Sequence, residues 1–345
     1  MAAPPDPLPP ASRARGRLLA LLLVVVSPVC AEYLQAYDPV STGDPVALLA
    51  GLLVLAPLYG APALLIREVA VRAGLHWTGI LALAGAFGVV QAGVVDQSLF
   101  ATTYLGYEDW DSQLRPTFVA PLGLGAASAL NFLGGHVIWS FAAPIALVEG
   151  LDGPGPRRPW LRTPGLVTAA VLYVLAALLV WSDIRDTGSD QASAGQLVGA
   201  LVVVGLLVAV AWTVGRRTLP PPTDARVPGP WAVLGLVLAA AVGFVLVPPT
   251  WTGVGVGVAI LALTAAVVTH WSRSARWDRR RVAAVAGAAV VARALVGFAS
   301  VSEMSPRPPG GFAQNTVLLV LSVALVVAAT RGGRSGQRTS SRLNG

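Results

Sequence analysis

Residues 121–150 read PLGLGAASALNFLGGHVIWSFAAPIALVEG, and the number of times this stretch crosses a membrane decides the fold. The apolar segment begins at Thr117 and runs to Gly150. As one straight helix it would be about 51 Å long at about 1.5 Å per residue, against a hydrocarbon core of about 30 Å. As two full spans it would carry Arg157, Arg158 and Arg162 to the opposite side and invert the charge pattern of everything downstream. The reading left is one span preceded by an extra piece, with Pro121, Gly123 and Gly125 as break points. We expect a broken or re-entrant segment near 117–133 on the outer side. Non-helical backbone at membrane depth is tolerated only under protein or water, so this piece should be buried against other helices or line a cavity.

The rest of the chain belongs to the same solvent. Of 345 residues 55% are hydrophobic and 12% charged, where a soluble domain carries about 25% charged residues. Apolar runs of spanning length lie near 18–34, 46–66, 77–98, 130–150, 164–182, 194–214, 231–248, 251–270, 282–300 and 314–330. The fold class is therefore all-α, a polytopic transmembrane helix bundle of about ten spans.

All 24 basic residues other than histidine are arginine, a bias that suggests a GC-rich genome. With the N-terminus in the cytoplasm, twenty arginines fall in inner segments and Arg115, Arg185 and Arg307 in outer ones, while Glu32, Asp44, Asp111, Asp183, Asp186 and Asp190 gather outside. This is a positive-inside pattern, and it explains the net charge of +7 without a nucleic-acid partner. The expected location is a bacterial plasma membrane with both termini cytoplasmic. Trp77, Trp181, Trp212, Trp231, Trp251 and Trp271 sit at span ends, where amphipathic rings meet the headgroups. One cysteine, Cys30, and three well-separated histidines support neither a disulfide nor a metal site, and no motif calls for a cofactor.

The first span is ambiguous. ARGRLLALLLVVVSPVCAEY, residues 14–33, is either a retained helix or a signal sequence cut after Ala31, which would leave nine spans. The chain then divides by character: a cytoplasmic tail, 1–17; a half rich in polar residues, 18–160; an Ala/Val/Leu-rich half, 161–330; and a disordered basic cytoplasmic tail, 331–345. No repeat relates the halves.

Polar residues inside the spans are expensive and mark the places to search. Counting from inner span ends puts His136, Gln91 and Arg293 about 21, 21 and 18 Å deep, with Asp96 and Gln97 a little more than a turn above Gln91. One reading is an outward-facing cavity lined by His136, Asn131, Gln91, Asp96, Gln97, Ser140 and Arg293. The other is close helix contact through small residues such as Ala84, Gly88 and Ala92, with scattered interhelical hydrogen bonds. Arg293, the one arginine deep within a span, needs a partner, and Asp96 is the charged candidate. Arg67 and Glu68 form an inner-face pair, with Arg67 alternatively a simple anchor. Outside, EYLQAYDP (32–39) and YLGYEDWDSQLRP (104–116) suggest a structured acidic and aromatic cap.

Phe132 to His136, FLGGH, resembles the FxxxH element of the CAAX-protease and bacteriocin-processing family of intramembrane glutamic endopeptidases. That family's preceding EExxxR element would fall on QAGVVD, where Gln91, Ala92 and Asp96 replace two glutamates and an arginine. The resemblance implies a degenerate relative without the glutamate that activates water. More broadly the chain resembles uncharacterised polytopic membrane proteins of GC-rich bacteria. Three roles follow: binding or moving a small molecule or lipid through the cavity, an intramembrane hydrolase around His136, Asp96 and Glu68, or a structural subunit of an envelope complex with a membrane-protein partner.

Overall fold

A computed structural model of the chain describes residues 10–36, 43–107, 110–153, 155–303 and 308–332; most of the expected basic tail at 331–345, together with Asp38, Glu108, Asp109 and Arg307, lies outside them. Ten helices make up the bundle: α1 (Pro10–Ala31), α2 (Pro45–Ala73), α3 (Trp77–Val95), α4 (Ala126–Leu151), α5 (Thr163–Asp186), α6 (Ala194–Thr213), α7 (Pro230–Val245), α8 (Trp251–Ser272), α9 (Arg279–Glu303) and α10 (Gly311–Arg331). Among the described residues nine of them are long and apolar enough to cross a membrane, and α7, with 16 residues, is shorter. At about 24 Å it falls short of a hydrocarbon core of about 30 Å.

The segment that decides the fold is broken, but over fewer residues than expected. Phe118–Val119 and Leu124–Gly125 pair as a small antiparallel hairpin, turning through Gly123 at φ +62°. The helix resumes at Ala126 and continues past residue 133 to Leu151. Residues 126–133 hold no proline, and the Thr117 hydroxyl caps the new helix by accepting from Ala127 N at 3.0 Å. One crossing, not two, follows Gly125.

Caps fix the other ends. Asp44 accepts from Val46 N at 2.8 Å with Pro45 in the first turn, Ser193 and Gln196 close a capping box, and Thr250 accepts from Gly253 N at 3.1 Å. Gly74, at φ +66°, ends α2, and Leu75 N reaches back to Ala70 O at 2.8 Å.

The two ends of the bundle are knitted separately. At the arginine-rich end Arg216 donates to Ala73 O, Arg281 to Pro228 O and Arg280 to Thr330 O. At the acidic end Asp190 accepts from Thr102 and Thr103, and the Thr102 hydroxyl and neighbouring N–H groups hold its carboxyl below the usual range. Helices α3 and α9 are the most enclosed, whereas α5, α6 and α8 present mostly exposed apolar surface. The sequence explains α9: Ala283, Ala284, Ala288, Ala292 and Ala294 are buried, and Gly287 lies where any side chain would collide with Val326. Small residues let α4, α7 and α10 approach its backbone closely. Helix α1 is also part of the core, through Leu19, Leu23, Ser27 and Cys30.

Three wide turns interrupt the polar-rich half, at Ala56–Gly60, Gln91–Val95 and His136–Ala142. Such π-type turns free carbonyls and recur at functional positions. Pro144 deprives Ser140 O of its helical donor, and the Ser27 hydroxyl supplies a replacement from α1. Ser27→Ala is therefore expected to cost about 1–3 kcal/mol for an unsatisfied buried carbonyl. In a Pro144→Ala background, where a backbone N–H returns, most of that cost should vanish. Thermal melts of the four proteins check this, and equal losses in both backgrounds would refute it.

Candidate functional site

Helix α7 stops early because Pro248 and Pro249 cannot continue it, and its early stop leaves space at the acidic end of the bundle. A cavity of about 310 Å³ opens there. Its walls are the first turns of α4 (Ser128, Leu130, Asn131), the end of α7 with its bend (Phe244 to Pro249), and α9 (Arg293, Val296, Ser300), closed by Gln35 and Gln113. Among the described residues of this lining Arg293 is the charged one.

Arg293 is 8% exposed, and its neighbours are fixed by three features of sequence. Gly297, one turn further along α9, has no side chain to collide with Leu34 O, so the turn at 33–36 lies directly on the helix. Ala36 adopts φ 55°, ψ 43° to end that turn. This places the Gln35 side-chain oxygen to accept from Arg293 Nη2. On the other side Trp139 presents its ring face, 4.6 Å from the guanidinium carbon, in a desolvated cation–π contact. The Trp139 indole N–H donates to Ala289 O at 2.8 Å, which pins α4 to α9 one turn below the arginine. Phe244 packs on Trp139 at 6.2 Å between ring centroids and extends the apolar wall.

The expected partnership of Arg293 with Asp96 is not formed. Asp96 accepts from Ser98 N at 2.9 Å and lies 3.4 Å from Gln91 Nε2, beside α3, while Gln35 and Trp139 attend Arg293. Depth counting gives height in the membrane and no azimuth: Asp96 is held by Gln91 and Ser98, and Arg293 by Gln35 and Trp139. The same limit divides the other candidates. Asn131 and Arg293 line the cavity. His136 sits about 140° around α4 from Asn131; its Nδ1 lies 3.2 Å from the Ser140 hydroxyl and its ring stacks on Tyr59 at 5.9 Å. Gly88 of α3 packs on the His136 Cβ, so the small-residue contact and the polar side chain share one place. Gln97, at φ 56°, accepts from Ala192 N at 2.6 Å and ties two loops together. Of the seven residues, Asn131 and Arg293 share the cavity lining, His136 meets Ser140, Gln91 meets Asp96, and Gln97 holds a loop. Among the described residues no group of three or more His, Cys, Asp or Glu could hold a metal ion.

Arg67 and Glu68 belong to a buried network at the arginine-rich end. Arg67 donates to Glu68 and, at 3.2 Å, to Glu149. Glu68 also accepts from Arg72, from Trp160 N at 2.8 Å and from Leu161 N at 3.2 Å, and Arg157 donates to Glu149 at 2.8 Å. Trp160 lays its ring on Arg67 at 3.6 Å.

Gln35, Trp139, Phe244 and Glu149 are the residues that sequence reasoning missed. Trp139 carried a signal, as a tryptophan in mid-span and not at the headgroup level. The aromatic cap expected from YLGYEDWDSQLRP is ordered where described: Trp110 stacks on Tyr104 at 4.4 Å and on Phe132 at 5.8 Å, with its indole N–H on Ala101 O.

Fold and site together define a multi-pass helical membrane protein. The chain belongs to an uncharacterised membrane protein family, whose sequence profile matches residues 21–335. A phosphatidylglycerol–prolipoprotein diacylglyceryl transferase of Gluconacetobacter diazotrophicus is 32% identical over 109 residues, 29% of this chain and 37% of that protein. The chain therefore spans little more than a third of that relative's length. No solved structure matches the chain.

Proposed function

We propose that the protein binds an anionic amphiphile, such as an acidic phospholipid, in the cavity at its acidic end, with the anionic group on Arg293 and the apolar portion against Phe244, Leu130 and the α7–α8 bend. One observation carries this reading: among the described residues a cavity of about 310 Å³ sets the Arg293 guanidinium in a wall formed otherwise largely by apolar side chains. The partial likeness to an enzyme named for a phosphatidylglycerol substrate supports a lipid as the ligand class. A hydrolase would need His136, Asp96 and Glu68 in one place, and Glu68 is committed to Arg67, Arg72 and the Trp160 and Leu161 N–H groups at the arginine-rich end. A scaffold would need no cavity. Mass spectrometry of lipid that copurifies in neutral detergent tests the reading. Wild-type protein should retain more acidic phospholipid per chain than Arg293→Gln; equal retention by the two would refute the proposal.

The positive-inside rule puts the arginine-rich end in the cytoplasm and the cavity on the outer side of a bacterial plasma membrane. In a Cys30→Ala background, single cysteines at Ser112 and Asp186 are expected to label in intact cells, and one at Ala275 only after permeabilisation. All three positions are exposed in the bundle. Labelling of Ala275→Cys in intact cells would overturn the orientation.

A further inference from the structure

At the arginine-rich end, remote from Arg293, a second cavity of about 490 Å³ lies among three chain segments: the start of α1, the loop from Asp152 to Arg162, and the start of α9. Positive-inside topology requires arginines at this end but does not require them to converge. Here Arg13, Arg15, Arg158, Arg162 and Arg279 surround one concave site in which, among the described residues, Asp152 is the single carboxylate. Two of the arginines build the walls. Arg279 donates to Gly153 O at 2.7 Å and Gly155 O at 2.6 Å, holding a loop that turns through φ +86° and +124°. Arg15 donates to Leu151 O at 2.7 Å and lies 3.8 Å from Asp152.

Trp160 gives the site a rigid back. Its indole N–H donates to Asp152 at 3.1 Å, its ring covers Arg67, and Gly16 lets α1 lie against its backbone. The side chains of Arg158 and Arg162, by contrast, are exposed and make no hydrogen bond or ion pair among the described residues. A preorganised concave site with uncommitted guanidinium groups suits a ligand with several acceptor oxygens and negative charge, which is phosphate chemistry. Its size falls in the range of about 300–1,000 Å³ usual for ligand pockets.

We propose that this cavity is a phosphate-binding site that holds the headgroup phosphate of an anionic phospholipid in the leaflet it faces, with Arg158 and Arg162 as the recognising residues. The proposal does not rest on the cavity around Arg293.

The full chain is reconstituted in phosphatidylcholine nanodiscs, with and without phosphatidylglycerol, and its melting temperature is followed as phosphatidylglycerol is titrated. A third arm adds inorganic phosphate to phosphatidylcholine nanodiscs. Phosphatidylglycerol should stabilise the wild type, and Arg158→Gln/Arg162→Gln should need about 30-fold more of it, at about 1 kcal/mol for each arginine near an anionic surface. Arg273→Gln/Arg276→Gln removes the same charge from exposed positions at the same end, outside the cavity, and should respond as wild type. Arg293→Gln should keep this component of the response, which separates failure here from failure at the other cavity. If inorganic phosphate alone reproduces the shift, the site stands and its ligand is soluble phosphate. If the control pair loses as much response as the cavity pair, or neither phosphate source stabilises the protein, the proposal is overturned. Should the double variant melt low in phosphatidylcholine alone, the two single substitutions are read instead, each expected to weaken the response about fivefold.

Discussion

Replacing Glu68 by alanine is expected to destabilise the protein by about 3–5 kcal/mol, the range for breaking a buried ion pair from one side. Glu68 is fully buried and accepts from four donors: Arg67, Arg72, Trp160 N and Leu161 N. Its removal leaves the buried Trp160 N–H and the half-buried Leu161 N–H without this acceptor and Arg67 with Glu149 as its remaining carboxylate. Arg67 has little to spare, because its Nη2 already lacks a hydrogen-bond partner among the described residues. Arg72→Gln removes one arm of the same network, but that side chain is 33% exposed and water can take over. Its cost should be about 1 kcal/mol or less. The measurement is unfolding by heat in neutral detergent. Equal losses in the two variants would show that burial does not govern the network, and a negligible loss in Glu68→Ala would show that the network is not formed.

The ten helices and the single crossing after Gly125 were legible in sequence because hydrophobic length, charge sidedness and proline or glycine breaks act locally. The hairpin at 118–125 was legible as a break and not in extent, since the cap that starts α4 at Ala126 comes from Thr117 across the hairpin. The candidate site was legible by height alone. Arg293 was visibly anomalous, but its partner Gln35 lies 258 residues away, and only the close approach permitted by Gly297 brings them together. Arg67 read equally well as an anchor. Its role in a network appears only when Glu149, near the end of another helix, and Trp160, in a loop, fold against it. A cavity was expected from the polar set, but not its walls: it lies where α7 ends about a turn short and Phe244 and the two prolines define its edge.

Arg293→Leu is expected to weaken binding of an acidic phospholipid at the acidic end by about 10- to 100-fold, since a charge-assisted hydrogen bond is worth about 1.5–3 kcal/mol. The same substitution removes the Trp139 cation–π contact, worth about 2 kcal/mol when desolvated, and leaves Gln35 facing a methyl group. Two double-mutant cycles separate these contributions. Gln35→Leu and Arg293→Leu should be strongly non-additive in thermal stability, because either substitution alone breaks the hydrogen bond and orphans its partner. Asp96→Asn and Arg293→Leu should simply add, because Asp96 spends its carboxylate on Ser98 and Gln91. The sign of the second cycle matters most. Relief of the Arg293→Leu defect by Asp96→Asn would mean that the two charges compensate each other and that the arginine is held for structure. Additivity, with phospholipid lost in Arg293→Leu and kept in Asp96→Asn, would assign the ligand contact to Arg293 and leave Asp96 outside it.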